Sequence, residues 1–120
     1  MKILFRIRYV LFMVSLTILL YGILRPESPP NLFNQSDKLM HVFAFLGFSL
    51  ITRFAFCCRK FVWLALFLSA PSLEFLQHYV QITRQFSWAD VAGNLSGLVC
   101  ALVVWKIILK ESVEKNFNKN

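Results

Sequence analysis

Charge is scarce in this chain. Only 16% of its 120 residues are charged and only six are acidic, against about 25% charged in an ordinary soluble domain. That shortage, beside a hydrophobic content of 58%, argues against a water-soluble globule. Cysteine is scarce too. Cys57 and Cys58 are adjacent and Cys100 stands alone, so the odd count and the lack of a C-x-x-C pair support neither a zinc knuckle nor a disulfide framework. Zinc-protease motifs are absent, and Ser69, Ser72 and Ser87 lie in no recognisable nucleophile motif. No cofactor is called for by these residues, and a divalent metal is only the lesser alternative, offered by the helical ligand spacing of Asp37-x-x-x-His41 and Glu74-x-x-x-His78.

What the chain has is apolar length. About 20 apolar residues cross the roughly 30 Å of a bilayer's hydrocarbon. Four such runs can be drawn, over 7–24, 39–56, 61–79 and 88–109. They consume the chain and predict one all-α domain over 1–110, a four-transmembrane-helix bundle, followed by a polar tail over 111–120 that reads as frayed. The first run could pass for a signal peptide, but its exit, Leu24-Arg25-Pro26-Glu27, offers no small-residue cleavage site. It reads as a retained helix.

The net charge of +7 would suit nucleic acid, but its placement points to a membrane instead. Lys2, Arg6, Arg8, Arg53, Arg59, Lys60, Lys106, Lys110, Lys115 and Lys119 fall at one side of the four spans. Arg25, Lys38 and Arg84 fall at the other. Ten against three is a positive-inside bias. It predicts a multi-pass protein with both termini cytoplasmic and the loops at 25–38 and 80–87 facing outward.

Local signals set the helix ends. Pro26, Pro29 and Pro30 forbid helix in the first outer loop, and Ser36 or Asp37 is a suitable N-cap for the second helix. The short link at 57–60 makes helices two and three antiparallel neighbours. Pro71 removes a backbone bond from the third helix. Ser87-x-x-Asp90 has the form of a capping box for the fourth. Gly93-x-x-x-Gly97 lies within that helix, where small residues let membrane helices approach closely. Its uses are packing inside the bundle or a homo-oligomer face through Gly93/Gly97. Trp63, Trp88 and Trp105 sit where interfacial aromatics belong.

Three polar clusters interrupt the apolar runs: Asp37/Lys38/His41, Glu74/Gln77/His78 and Arg84/Asp90/Asn94. Glu74 is 13 residues beyond Phe61, about 20 Å from the inner border at 1.5 Å per residue. His41 and Asn94 each lie one turn inside the outer start of their own helix. The three should therefore share a layer in the outer half of the bilayer, beneath a rim of Asp37, Arg84 and Asp90. Asp37 and His41, Glu74 and His78, and Asp90 and Asn94 are i,i+4 pairs, so each pair occupies one helix face. Lipid cannot solvate such groups, which predicts a polar pocket open outward. Plainer roles stand beside this one. Asp37 and Asp90 suit helix caps, Lys38 and Arg84 suit snorkelling, His78 suits an interface, and the whole set suits a structural hydrogen-bond network.

A carboxylate and an imidazole in a low-dielectric site are equipped for general acid–base work. Arg84 and Lys38 suit an anionic headgroup. The order Asp37-Lys38-Leu39-Met40-His41 with Phe45, then Glu74-Phe75-Leu76-Gln77, Arg84, Ser87-Trp88-Ala89-Asp90, Asn94 and Gly97 resembles the VanZ-like family. The namesake of that family is an accessory teicoplanin-resistance membrane protein of bacteria. The resemblance covers residues 37 to 97. It implies a polytopic protein of the bacterial cell membrane with these polar residues as its shared site, and it fixes no reaction and does not transfer glycopeptide resistance.

Taken together, Glu74, His41 and Asp90 are the candidate catalytic residues. Asp37, Lys38, Gln77, Arg84 and Asn94 are the candidate ligand-binding residues. The expected partner is a membrane lipid or a lipid-linked envelope precursor, with no nucleic acid. Enzyme and non-enzymatic scaffold or antibiotic-shielding protein both remain open on the residues alone. A proton-coupled transporter is disfavoured, because WLALFL and VCALVV in the inner halves of helices three and four offer no polar path.

Overall fold

The computed structural model describes residues 2–24, 36–57, 59–81 and 85–119. All regular structure among them is helical: α1 (Lys2–Leu24), α2 (Ser36–Ala55), α3 (Phe61–Val80), α4 (Trp88–Val104), a π-helical turn (Trp105–Leu109) and α5 (Lys110–Lys119). Three stretches are long and apolar enough to cross a membrane, Lys2–Ile23, Lys38–Ala55 and Trp88–Lys119. The 20 residues of α3 are long enough, but Pro71, Ser72, Glu74, Gln77 and His78 crowd its second half and lower its hydropathy. Ile3, Val10, Ile18 and Tyr21 lie on the outside of α1, and Phe43, Leu64 and Val99 on the outside of the other helices. Such a surface suits hydrocarbon better than water.

Two helix boundaries differ from expectation. α1 begins at Lys2 rather than near Ile7, because Lys2, Arg6 and Arg8 interrupt hydropathy without interrupting helix. The C-terminal residues, read as frayed, are helical to Lys119. Their polarity misled: Val113 is buried, and the Phe117 ring lies 6.0 Å from that of Phe5. Tertiary packing on α1 holds a segment whose composition alone would leave it loose.

Where the helices end, the chemistry is local. Ser87 is extended (φ −126°, ψ 115°) and its Oγ accepts the Asp90 N–H at 3.3 Å, capping α4. At the far end of α3 the Gln81 N–H reaches back to the Gln77 carbonyl at 2.8 Å. α3 runs without a break through Pro71.

In lipid, apolar burial supplies little drive for helix association, so close packing and hydrogen bonds must hold the bundle. The α2–α4 seam does this through glycine. A Cβ on Gly93 would sit 3.4 Å from both His41 Cβ and the Lys38 carbonyl, whereas one on Gly97 would run into the Val42 carbonyl. Gly97 is thus a point of backbone-to-backbone contact that no side chain fits. Both glycines face α2 of the same chain, the first of the two uses read from the motif. Residue 93 opposes 38–42 and residue 97 opposes 42–46, so α2 and α4 run parallel in direct contact, with the antiparallel α3 joining them in the chain and packing alongside. Phe45, Phe48, Val62, Leu66 and Leu98 fill the centre. A second cluster of Phe5, Cys57, Trp105 and Val113 closes the end where α2 stops and α5 starts.

Candidate functional site

The seam sets the site. With Gly93 pressed against the first turns of α2, Asp90 and Asn94, one turn apart on α4, bracket the His41 ring. Asn94 Oδ1 lies 3.0 Å from His41 Nδ1, and Asp90 Oδ2 lies 3.8 Å from Nε2. Asn94 also donates from Nδ2 to the Ala70 carbonyl of α3 at 3.3 Å. That bond fixes which way the amide points, since only its nitrogen can donate to a carbonyl. The oxygen therefore faces His41, and the network assigns the hydrogen of the ring to Nδ1. Nε2 faces the Asp90 carboxylate. At 3.8 Å this is an ion-pair distance and too long for a good hydrogen bond.

Glu74 completes the group from α3. It is 1% exposed, and its Oε1 accepts the backbone N–H of Ser87 at 3.2 Å. Ser87 thus joins two parts of the site, donating to Glu74 from its backbone and capping Asp90 with its hydroxyl. One ligand atom from each of His41, Glu74 and Asp90 lies within 4.8 Å of the others. The same donor set could hold a divalent cation, with Asn94 orienting the imidazole from behind.

The sequence-predicted residues divide accordingly. His41, Glu74, Asp90 and Asn94 come together, all but His41 buried to 4% exposure or less. Gln77 is buried one turn beyond Glu74. Lys38 is half-buried and its side chain makes no hydrogen bond or ion pair with a described residue. Asp37 lies in the first turn of α2, and its side chain, like the whole of Arg84, lies outside the described residues. His78 is exposed.

Several participants escaped the sequence reading. The backbone of Ser87 and the carbonyl of Ala70 carry no signal in residue type, because main-chain groups become ligands only through geometry. Gln81, 3% exposed, sits just past the end of α3, and its i,i+4 spacing from Gln77 was the available hint. α2 also buries Ser49, Thr52 and Arg53, so the half of the bundle away from the site is less uniformly apolar than α3 and α4 suggest. Thr52 satisfies itself by donating to the Phe48 carbonyl at 2.7 Å.

Comparison of the chain with family models, with curated proteins and with solved structures finds no match in any of the three.

Proposed function

We propose that this chain is a VanZ-like protein of the bacterial cell membrane. In this reading four helices span the bilayer, both termini are cytoplasmic, and the His41–Glu74–Asp90 cluster lies in the outer half. The cluster binds an envelope lipid or lipid-linked cell-wall precursor and is equipped to move a proton on it. The observation that carries the reading is the convergence of three proton-bearing groups, one from each of three helices, within 4.8 Å. Polar groups at membrane depth are costly and mark functional sites by default. Glu74 would transfer the proton, and His41, held in one tautomer by Asn94, would relay it to or from Asp90. Gln77 and Asn94 would orient the ligand, with Lys38 and Arg84 at the rim for its anionic group and Asp37 beside them for its hydroxyl or amine donors.

One observation favours a second reading, a scaffold or antibiotic-shielding protein. Asn94 ties α2 to α3 across α4, which a purely structural network would also do.

Glu74→Gln separates the two. Envelope lipids and cell-wall precursors are compared by mass spectrometry in cells expressing wild type, the variant or nothing, at matched membrane levels. A species altered by wild type alone supports the first reading. Wild-type chemistry from a stably inserted Glu74→Gln protein would sink it, and a variant that never accumulates favours the scaffold.

A further inference from the structure

The end of the bundle opposite the polar cluster holds a groove of about 330 Å³ between α2, α3, the π turn and α5. It is lined by Arg53, Lys60, Trp63, Trp105, Lys106 and Lys110, together with Leu102 and Glu114. Four cationic side chains thus face one carboxylate. Arg53 is 6% exposed, yet no carboxylate among the described residues pairs with it. Its Nη1 donates to the Phe56 carbonyl at 3.3 Å, and its guanidinium carbon lies 5.1 Å from the ring centre of Trp105 and 5.9 Å from that of Trp63. Its Nε and the indole Nε1 of Trp105, itself 3% exposed, are both buried without an acceptor among the described residues.

A buried donor left unmade costs free energy comparable to a lost hydrogen bond, and a buried, unpaired cation costs more. Guanidinium and indole N–H groups are donors only. The unpaired guanidinium that lines the groove, with three lysines at its mouth, is therefore met by one kind of ligand, an anion rich in acceptor oxygens. The fork of the guanidinium, held between two aromatic rings, matches a phosphate. Lys60, Lys106 and Lys110, all exposed, ring the mouth. Trp105 opens the π turn, a distortion that recurs at functional sites.

We propose that this groove binds the phosphate of an anionic phospholipid headgroup. Basic pockets between membrane helices recognise such headgroups, and the surrounding surface of exposed Ile107, Ile108 and Leu102 suits the acyl chains. The inference rests on the membrane reading above but not on any role of the polar cluster.

The test uses the full chain with Trp88→Phe, leaving Trp63 and Trp105, both in the groove, as reporters. The protein is placed in phosphatidylcholine nanodiscs, and quenching by brominated phosphatidylglycerol is compared with quenching by brominated phosphatidylcholine. The expected result is a preference for phosphatidylglycerol of roughly tenfold or more, the worth of one to two lysines near an anionic surface. That preference should fall to near unity in Lys106→Gln/Lys110→Gln and stay intact in Lys115→Gln/Lys119→Gln, which removes equal charge outside the groove. Arg53→Lys, which keeps the charge but not the fork, should weaken it several-fold. If inorganic phosphate displaces the lipid from the wild-type groove but not from Lys106→Gln/Lys110→Gln, the same phosphate site takes a soluble ligand. Equal quenching by the two lipids without phosphate binding, or equal loss in both lysine pairs, overturns the proposal. Because none of these readouts involves Glu74, failure here leaves the polar-cluster reading standing, and the converse holds.

Discussion

Where α2 and α4 begin, His41, Asp90, Asn94 and Glu74 meet one another. Where α2 stops and α5 starts, Arg53, Lys60, Lys106 and Lys110 gather around a single carboxylate, Glu114. The first group mixes acids, a base and an amide, so much of its hydrogen bonding is met within the chain. The second is nearly all donors, and what it requires must come from outside. A low-dielectric setting accepts either solution, but the first ties the fold together and the second ties the fold to its surroundings.

The sharpest way to break the contrast is at Gly97. Gly97→Val should force α4 away from the Val42 carbonyl and cost about 3 kcal/mol or more, beyond the usual range for overpacking because backbone cannot yield as a side chain does. Membrane accumulation and thermal unfolding in detergent would show it, whereas Gly93→Ala, with only 3.4 Å contacts, should be tolerated. Asn94→Ala comes next. It removes the bonds to His41 and Ala70, and a loss of about 1–3 kcal/mol is expected. A melting temperature equal to wild type would show that the polar group does not bind the helices together.

At the basic end the expectation reverses. Arg53→Met, an apolar replacement of similar length, should change stability by about 1 kcal/mol or less in neutral detergent, since it removes an unpaired cation along with its ring contacts. It should also abolish any stabilisation by added phosphatidylglycerol. A large loss in neutral detergent would mean that Arg53 is structural after all. Trp105→Phe deletes an N–H that meets no acceptor among the described residues but puts a smaller ring in place of a buried indole, so a loss of about 1 kcal/mol is expected in the same detergent, from ring volume and not from a hydrogen bond.

How much of this could be read in advance differs between the ends for a physical reason. Helix rise is nearly constant, so counting residues from Phe61 to Glu74 and from the start of α2 to His41 placed these groups at one level. The i,i+4 rule put Asp90 and Asn94 together on an inward face but failed for Glu74 and His78, of which only the first is buried. The all-helical class followed from apolar run length in the same way. The span boundaries at 2 and 119 did not, because Lys2 and the polar residues of α5 are compatible with helix while lowering hydropathy. The basic groove was also invisible. Arg53, Lys60, Lys106 and Lys110 read as topology signals, and their convergence depends on how α5 is rotated relative to α4. Sequence spacing assumes 3.6 residues per turn throughout, and between Trp105 and Leu109 that assumption fails.

That π turn carries a consequence for the whole C-terminal third. It holds one residue more than a regular helix of the same length would need, so α4 and α5 are phased by an insertion. Deleting one residue between 105 and 109 would restore the ordinary ladder and swing everything after it by about 100°. Lys110 and Glu114 would leave the groove and Phe117 would leave Phe5, while His41, Glu74 and Asp90, upstream on other turns, would keep their places. One codon thus sets whether α5 reaches both the basic groove and α1.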